Sequence, residues 1–215
     1  DPVRDFTPVT TIANAPIVLI AHPSVPATDV RKFIEWAATR NNGVAYGSAG
    51  VGSIGHLAAE QFAKMANLKL VHIPYRGQAP TILAVLTGET PIAFTSSSDA
   101  LLAQVQAGKI RILGVGSDKP STLVPGGVPI SLALPGYRAD FWQGVLAPAK
   151  TPDVIVNRMF EVIAAALKSP EMHTKFEKMS YSVAFEPPAL FAKKLAAEVE
   201  TWKALIRERG IKAES

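Results

Sequence analysis

The chain has 215 residues, with 22 Lys and Arg against 18 Asp and Glu, a formal net charge of +4. Hydrophobic residues make up 48% and charged residues 19%, enough apolar material for one large core or two modest ones, which excludes disorder, collagen and coiled coil. Cysteine is absent, so disulfides, thiolate metal sites and cysteine nucleophiles are excluded together, while the redox compartment stays open. No run approaches the roughly 18 to 20 apolar residues of a membrane-spanning helix, so no direct membrane insertion is expected. Lys and Arg are scattered among acids with no basic stripe, so no nucleic-acid partner is expected.

In chain order, Ile17 to Ala21 is an apolar strand. Thr28 is the expected cap of a helix with Val30, Phe33, Ile34 and Ala37 on one face, stopped by Asn41, Asn42 and Gly43. Val44 to Tyr46 reads as a short buried strand, followed by a small-residue loop from Gly47 to Ser53. Leu57, Ala58, Phe62 and Met65 give the next helix, ending near Asn67. Strands over Leu70 to Ile73, Pro91 to Phe94 and Ile110 to Val115 then alternate with helices closed by Gly88 and Gly108. Such alternation predicts βαβ units and a parallel sheet.

Six Pro and Gly residues between Pro120 and Pro135 mark a loop or a crossing segment. Phe141 to Ala147 is the next strand, Asp153 to Leu167 has helical period, and Pro170 starts a second helix. Tyr181 to Phe185 reads as a short strand. Pro187 and Pro188 open a long helix with Phe191, Leu195, Val199, Trp202 and Ile206 on one face, ended by Gly210. A regular α/β block flanked by less regular elements predicts two lobes, with boundaries near Ala21 and Ala147.

The sharpest motif is Ser48-Ala49-Gly50-Val51-Gly52-Ser53, between a strand and a helix. Small residues let a ligand approach the backbone, and the helix start offers free N–H groups and the positive end of its dipole. That pattern suits phosphate or carboxylate, with Ser48 and Ser53 as hydroxyl donors. The competing reading is a tight turn in which Ser53 is a plain N-cap. Gly50, Gly52 and Gly55 also satisfy the dinucleotide fingerprint G-x-G-x-x-G, with Arg76 after the next strand, where it would meet a 2′-phosphate. An NADP-dependent oxidoreductase is therefore the alternative function. A nucleophile elbow at Ser53 fails, because Val51 stands where its first glycine belongs.

His56 reads as a helix-surface or ligand-proximal histidine. His22, His72 and His173 lack H-x-x-x-H spacing, so no metal is expected. Tyr75 and Arg76 follow a strand at the carboxyl edge of the sheet, where Arg76 suits a carboxylate or a plain surface turn. Thr95 and Ser96 open a hydroxyl-rich strand end that suits a helix cap or a ligand. Phe141 and Trp142 begin a strand as core packing or as a cleft wall.

Taken in order, several segments resemble one family. They are Asp1-Pro2-Val3-Arg4-Asp5-Phe6-Thr7-Pro8-Val9, Tyr46 to Ser53, His56-Leu57-Ala58, His72-Ile73-Pro74-Tyr75-Arg76-Gly77, Leu134-Pro135-Gly136-Tyr137 and Leu146 to Pro152. The family is the Bug or TctC receptors, periplasmic solute-binding components of tripartite tricarboxylate transporters. The resemblance implies an α/β, two-lobed, type II periplasmic-binding-protein-like architecture with mixed sheets flanked by helices, closing on a small carboxylate. It implies residues 1–21 plus 148–215 as lobe 1 and 22–147 as lobe 2, which carries the Ser48 to Ser53 loop. It implies a periplasmic receptor that is no enzyme, needs no cofactor, and works with membrane transporter subunits. The ligand-binding residues expected from loop and resemblance are Ser48, Ala49, Gly50, Gly52, Ser53, His56, Tyr75, Arg76, Thr95, Ser96, Phe141 and Trp142.

The family's first-lobe loop, in a G-G-x-x-D segment, has no counterpart here, and Asp1 matches a position well inside the family's mature chain. The first lobe is therefore expected to be incomplete and the chain to self-associate, whereas the full-length receptor is expected to be a monomer. Thr95 and Ser96 stand where the family often has an acid or Asn.

Overall fold

The computed structural model describes residues 1–212. It divides into two compact units, Asp1–Ala15 with Trp142–Ala204, and Pro16–Phe141 with the stretch from Leu205 onward. The expected boundaries at Ala21 and Ala147 fall within the strands that run through both units.

The second unit is a five-stranded sheet in the order β3-β2-β4-β1-β5. Its strands are β1 (Phe6–Ala21), β2 (Val44–Ser48), β3 (Leu70–Pro74), β4 (Ile92–Ser96) and β5 (Arg111–Val115). β2 pairs in parallel with both β3 and β4, whereas β1 lies antiparallel to β4 and β5. The expectation of a purely parallel sheet is thus corrected to a mixed one. β1 reaches the sheet without a preceding crossover helix and slots between β4 and β5, so the β4-to-β5 crossover spans it.

Strand alternation sorts the core onto two faces. Ile17, Leu19 and Ala21 of β1, with Tyr46 and Phe94, meet α1 (Val30–Ala38) through Phe33 and α2 (Ile54–Met65) through Ala58, Ala59 and Phe62. Val18 and Ile20, with Ala93, meet α3 (Gln78–Leu86) through Ile82 and Val85 and α4 (Asp99–Gln106) through Leu101. Both faces are covered, which is why the β1 segment from Ile17 to Ala21 is a continuous apolar run, fully buried along its length. Each large side chain sealed in this way, such as Phe62, is worth about 2 to 3 kcal/mol in transfer free energy.

Three local readings change. β1 starts at Phe6, eleven residues before Ile17, because its first half pairs elsewhere. Asp29, not Thr28, caps α1: it has the extended backbone of a cap, and its carboxylate accepts the Lys32 N–H at 2.9 Å. β2 runs on through Gly47 to Ser48, held in register opposite Ile73 and Pro74 of β3. The Pro120 to Pro135 segment carries an isolated parallel bridge from Pro129 to Val115 and a 3-10 turn at Ile130–Leu132.

In the first unit, the front half of β1 pairs with β6 (Asp140–Pro148) and β7 (Ser182–Val183), the latter aligning Ala13 with Val183 and Asn14 with Ser182. The strand expected over Tyr181 to Phe185 shortens to those two residues. Val9 and Ala147 pack on Val156 of α5 (Asp153–Leu167), with Met159, Phe160 and Ile163 around them. α6 (Pro170–Glu177) is capped by Ser169, and α7 (Pro188–Arg209) buries Phe191 and Leu195. No helix of the described residues is long and apolar enough to cross a membrane.

Candidate functional site

The chain passes from β2 to β3 on one side, then back over β2 to β4 on its other side. Parallel strands put the loops after β2, β3 and β4 at one sheet edge, and the reversal at β2 is the topological switch point where open α/β sheets take ligands. That edge gathers Ala49 to Ser53, Tyr75 to Gly77, and the β4 end at Thr95 and Ser96.

The first loop is shaped by backbone geometry. Gly50 and Gly52 have φ of 127° and 75°. A Cβ on Gly52 would meet nothing within 4 Å, so its glycine answers to the dihedral alone. Gly55 differs: a Cβ there would lie 2.3 Å from the Phe94 carbonyl oxygen, so α2 packs backbone to backbone on β4. The Ser53 N–H donates to the Gly50 carbonyl at 3.2 Å, closing the turn.

Ser53 is the N-cap of α2, its Oγ accepting the His56 N–H at 3.3 Å. Among the described residues, the N–H groups of Ile54 and Gly55, the first two of the helix, have no protein acceptor. These unsatisfied donors and the helix dipole favour an anion in front of the loop.

The hydroxyls turn inward. Ser48 is fully buried, its Oγ 2.7 Å from His72 Nε2 and accepting the Gly50 N–H at 3.3 Å. Ser53 Oγ lies 3.4 Å from Ser48 Oγ. The surface reading of His56 is corrected: it is 5% exposed, and its Nδ1 accepts the Gly52 N–H at 3.0 Å. The β2–β3 register aligns Tyr46 with His72, which puts both rings on the sheet face that α2 covers. His56 then stacks on His72 with centroids 3.8 Å apart and 14° between planes, and His72 stacks on Tyr46 at 5.0 Å. Burial lowers the pKa of both histidines; His72, with His56 against it, is brought down to about 4. Both are neutral at pH 7.

Behind this stack Tyr46 donates to Glu60 Oε1 at 2.8 Å, and Arg209 pairs with Glu60 Oε2 at 2.6 Å. Burial, with Glu60 beside it, pushes the Tyr46 phenol above its ordinary range. Two of the loop's amides, on Gly50 and Gly52, are therefore satisfied from inside the protein.

The neighbouring loops contribute unevenly. Tyr75 donates its N–H to the Ser48 carbonyl at 2.9 Å and its hydroxyl to Glu89 at 2.8 Å; burial and Glu89 raise its pKa to about 12. Arg76 is exposed and, among the described residues, makes no hydrogen bond or ion pair. Thr95 is buried, and Gln78 Nε2 donates to Thr95 Oγ1 at 3.3 Å and to Ser96 Oγ at 3.0 Å. Phe141 packs on the core of the second unit. Trp142 belongs to the first unit, donating to Glu198 at 2.7 Å and meeting Phe191 edge-on. Ala49 is exposed at the loop tip.

Sequence reasoning missed His72, Glu60, Gln78 and Arg209. His72 comes into view only once β2 runs on to Ser48, which sets Tyr46 and His72 each two residues before a strand end. Arg209 lies 149 residues from Glu60, and no local pattern announces it. No group of three or more His, Cys, Asp or Glu among the described residues is placed to hold a metal ion.

Known proteins resemble this chain along its whole length. A UPF0065 protein from the tcbD-tcbE intergenic region of Pseudomonas sp. (strain P51) is 31% identical over 98% of the chain and 63% of its own length. Protein BugT of Bordetella pertussis is 27% identical over 98% of the chain and 64% of its own length. The chain thus spans slightly less than two thirds of these relatives. Among solved structures, R. palustris Rpa4515 with adipate superposes with a TM-score of 0.84 at 31% identity, covering 98% of this chain and 71% of that one. The periplasmic binding protein BugD, 21% identical with a TM-score of 0.81, shares the fold. Residues 1–211 match the family model for the tripartite tricarboxylate transporter family receptor, and the chain belongs to that TctC family.

Proposed function

We propose that this chain acts in a periplasmic solute-binding receptor that captures a small di- or tricarboxylate and delivers it to the membrane subunits of a tripartite transporter. The carrying observation is the pair of unsatisfied amides at Ile54 and Gly55, opening the helix at the sheet's switch point. Ala49, Gly50, Gly52 and Ser53 shape the approach to these donors. Ser48 and His56 hold the loop from behind, and Tyr75 supports it from the β3 side. Arg76 supplies a cation for the second carboxylate. Thr95 and Ser96 bound the rest of the ligand's surroundings on the second unit. The adipate held by Rpa4515 supports a linear dicarboxylate.

The reading as an NADP-dependent oxidoreductase on Gly50, Gly52, Gly55 and Arg76 fares worse. A dinucleotide pyrophosphate needs the glycine amides, and those of Gly50 and Gly52 are bonded to Ser48 and His56. The chain is accordingly read as a receptor with no enzymatic role. Isothermal titration with adipate, glucose and NADPH tests this. Adipate should give saturable heat in the millimolar to micromolar range, about −4 to −8 kcal/mol, and the others none. Preference for glucose or NADPH refutes it.

A further inference from the structure

We infer that the stacked pair His56–His72 positions the glycine loop, and that protonation of His56 releases it. His56 Nδ1 accepts the Gly52 N–H at 3.0 Å, while His72 Nε2, 2.7 Å from Ser48 Oγ, sets the hydroxyl that accepts the Gly50 N–H at 3.3 Å. One histidine therefore governs each glycine amide. With its Nδ1 an acceptor, neutral His56 carries its proton on Nε2. A second proton goes to Nδ1 and converts acceptor to donor, so the Gly52 N–H loses its partner and faces another N–H. His56 is 5% exposed and its ring stays shielded, whereas Gly52 is exposed, so the repelled Gly52 N–H turns away to solvent and the loop is let go.

The groups facing His56 are His72 at 3.8 Å between ring centroids, Tyr46 at 6.4 Å, and Glu60 on its own helix, itself paired with Arg209. Two charged imidazoles in that stack repel, so the pair admits at most one proton. Burial disfavours a charge on His56, and Glu60 favours one. The stack is thus neutral and the loop held at pH 7, and both change as acidity rises below the ordinary histidine range near about pH 6.5.

This inference rests on the proposed carboxylate site only for its functional consequence, and its test separates the two. In 15N-labelled protein at pH 7.5, His56→Phe keeps a ring in the stack but removes the acceptor, and the Gly52 amide should exchange with deuterium about tenfold faster. His56→Asn places an oxygen where Nδ1 stood and should restore Gly52 protection to within about threefold of wild type. Between pH 7.5 and 4.5 the wild-type Gly52 resonance should shift with a single titration, and the His56→Asn resonance should not. Unchanged Gly52 exchange in His56→Phe, or the same pH titration in His56→Asn, overturns the inference. Should His56→Phe not fold, the wild-type and His56→Asn titrations decide alone. Adipate titrated into the same samples at pH 7.5 reports on the site. No adipate binding to wild type refutes the carboxylate site and leaves the Gly52 result to decide the role of His56.

Discussion

Replacing Gly55 with Ala puts a methyl group 2.3 Å from the Phe94 carbonyl oxygen. An ordinary carbon–oxygen contact is about 1 Å longer, and the obstacle is strand backbone, which has no rotamer to yield. α2 must therefore back away from β4, opening the interface that buries Ala58, Ala59 and Phe62. Overpacking of this kind costs about 1 to 3 kcal/mol. The better helix propensity of Ala returns at most about 1 kcal/mol, and less so close to the N-terminus of the helix. The net cost is about 2 kcal/mol, which lowers the melting temperature of a chain of this size by about 4 to 8 °C. Circular dichroism melts and urea midpoints at pH 7.5 measure it. Gly52→Ala is the informative comparison, since its Cβ meets open space and only the 75° φ penalises it, by about 1 kcal/mol. A Gly55→Ala protein as stable as wild type would show that α2 does not rest on the Phe94 backbone, and with it would go the account of how the loop's open amides are aimed.

Ser53→Ala removes the cap of α2 and should cost about 1 kcal/mol in urea, with weaker adipate binding in titration. Arg209→Ala leaves Glu60, 8% exposed, without its cation and should destabilise the chain by about 1 to 3 kcal/mol, whereas Arg207→Ala, at a residue that does not pair with this carboxylate, should change the urea midpoint little. Arg76→Ala should leave the melting temperature within about 2 °C, because its side chain is exposed and makes no hydrogen bond or ion pair among the described residues, yet reduce adipate affinity several-fold. Acid weakens the fold through the histidines: the folded state holds His72 near pKa 4, so the unfolded chain binds the extra proton first. That contribution is complete above about pH 6.5 and is lost as pH falls toward 4, about 1 to 2 kcal/mol once partial exposure is allowed for, and His72→Phe should flatten that part of the urea-midpoint profile.

Much of the second unit was legible because its signals are local. Alternating apolar runs and glycine stops placed β3, α3, β4 and α4 to within a few residues, since each element's own period and end signals agree with its packing. The direction of β1 was not legible. A fully buried run such as Ile17 to Ala21 has the same composition whether its neighbours run with it or against it. Asp29 and Thr28 are both competent caps, and only backbone dihedrals separate them.

At the site, the loop and its helix were readable from Gly50, Gly52 and Ser53, because those residue types carry their conformational reason with them. The support beneath was not. His56 in the first turn of a helix reads as exposed until the β2–β3 register sets His72 and Tyr46 under it. Glu60 looks like one more solvated acid until Arg209 arrives from the far end of the chain. The consequence reaches the choice of ligand. The three fingerprint glycines look like a phosphate cradle, but two of their amides are committed inward, to His56 and Ser48, and the third glycine serves helix packing. What stays without a protein acceptor among the described residues is the pair of N–H groups on Ile54 and Gly55, with Arg76 exposed past the end of the neighbouring strand. Two amides match the two oxygens of one carboxylate; a pyrophosphate presents several more oxygens than these donors can satisfy.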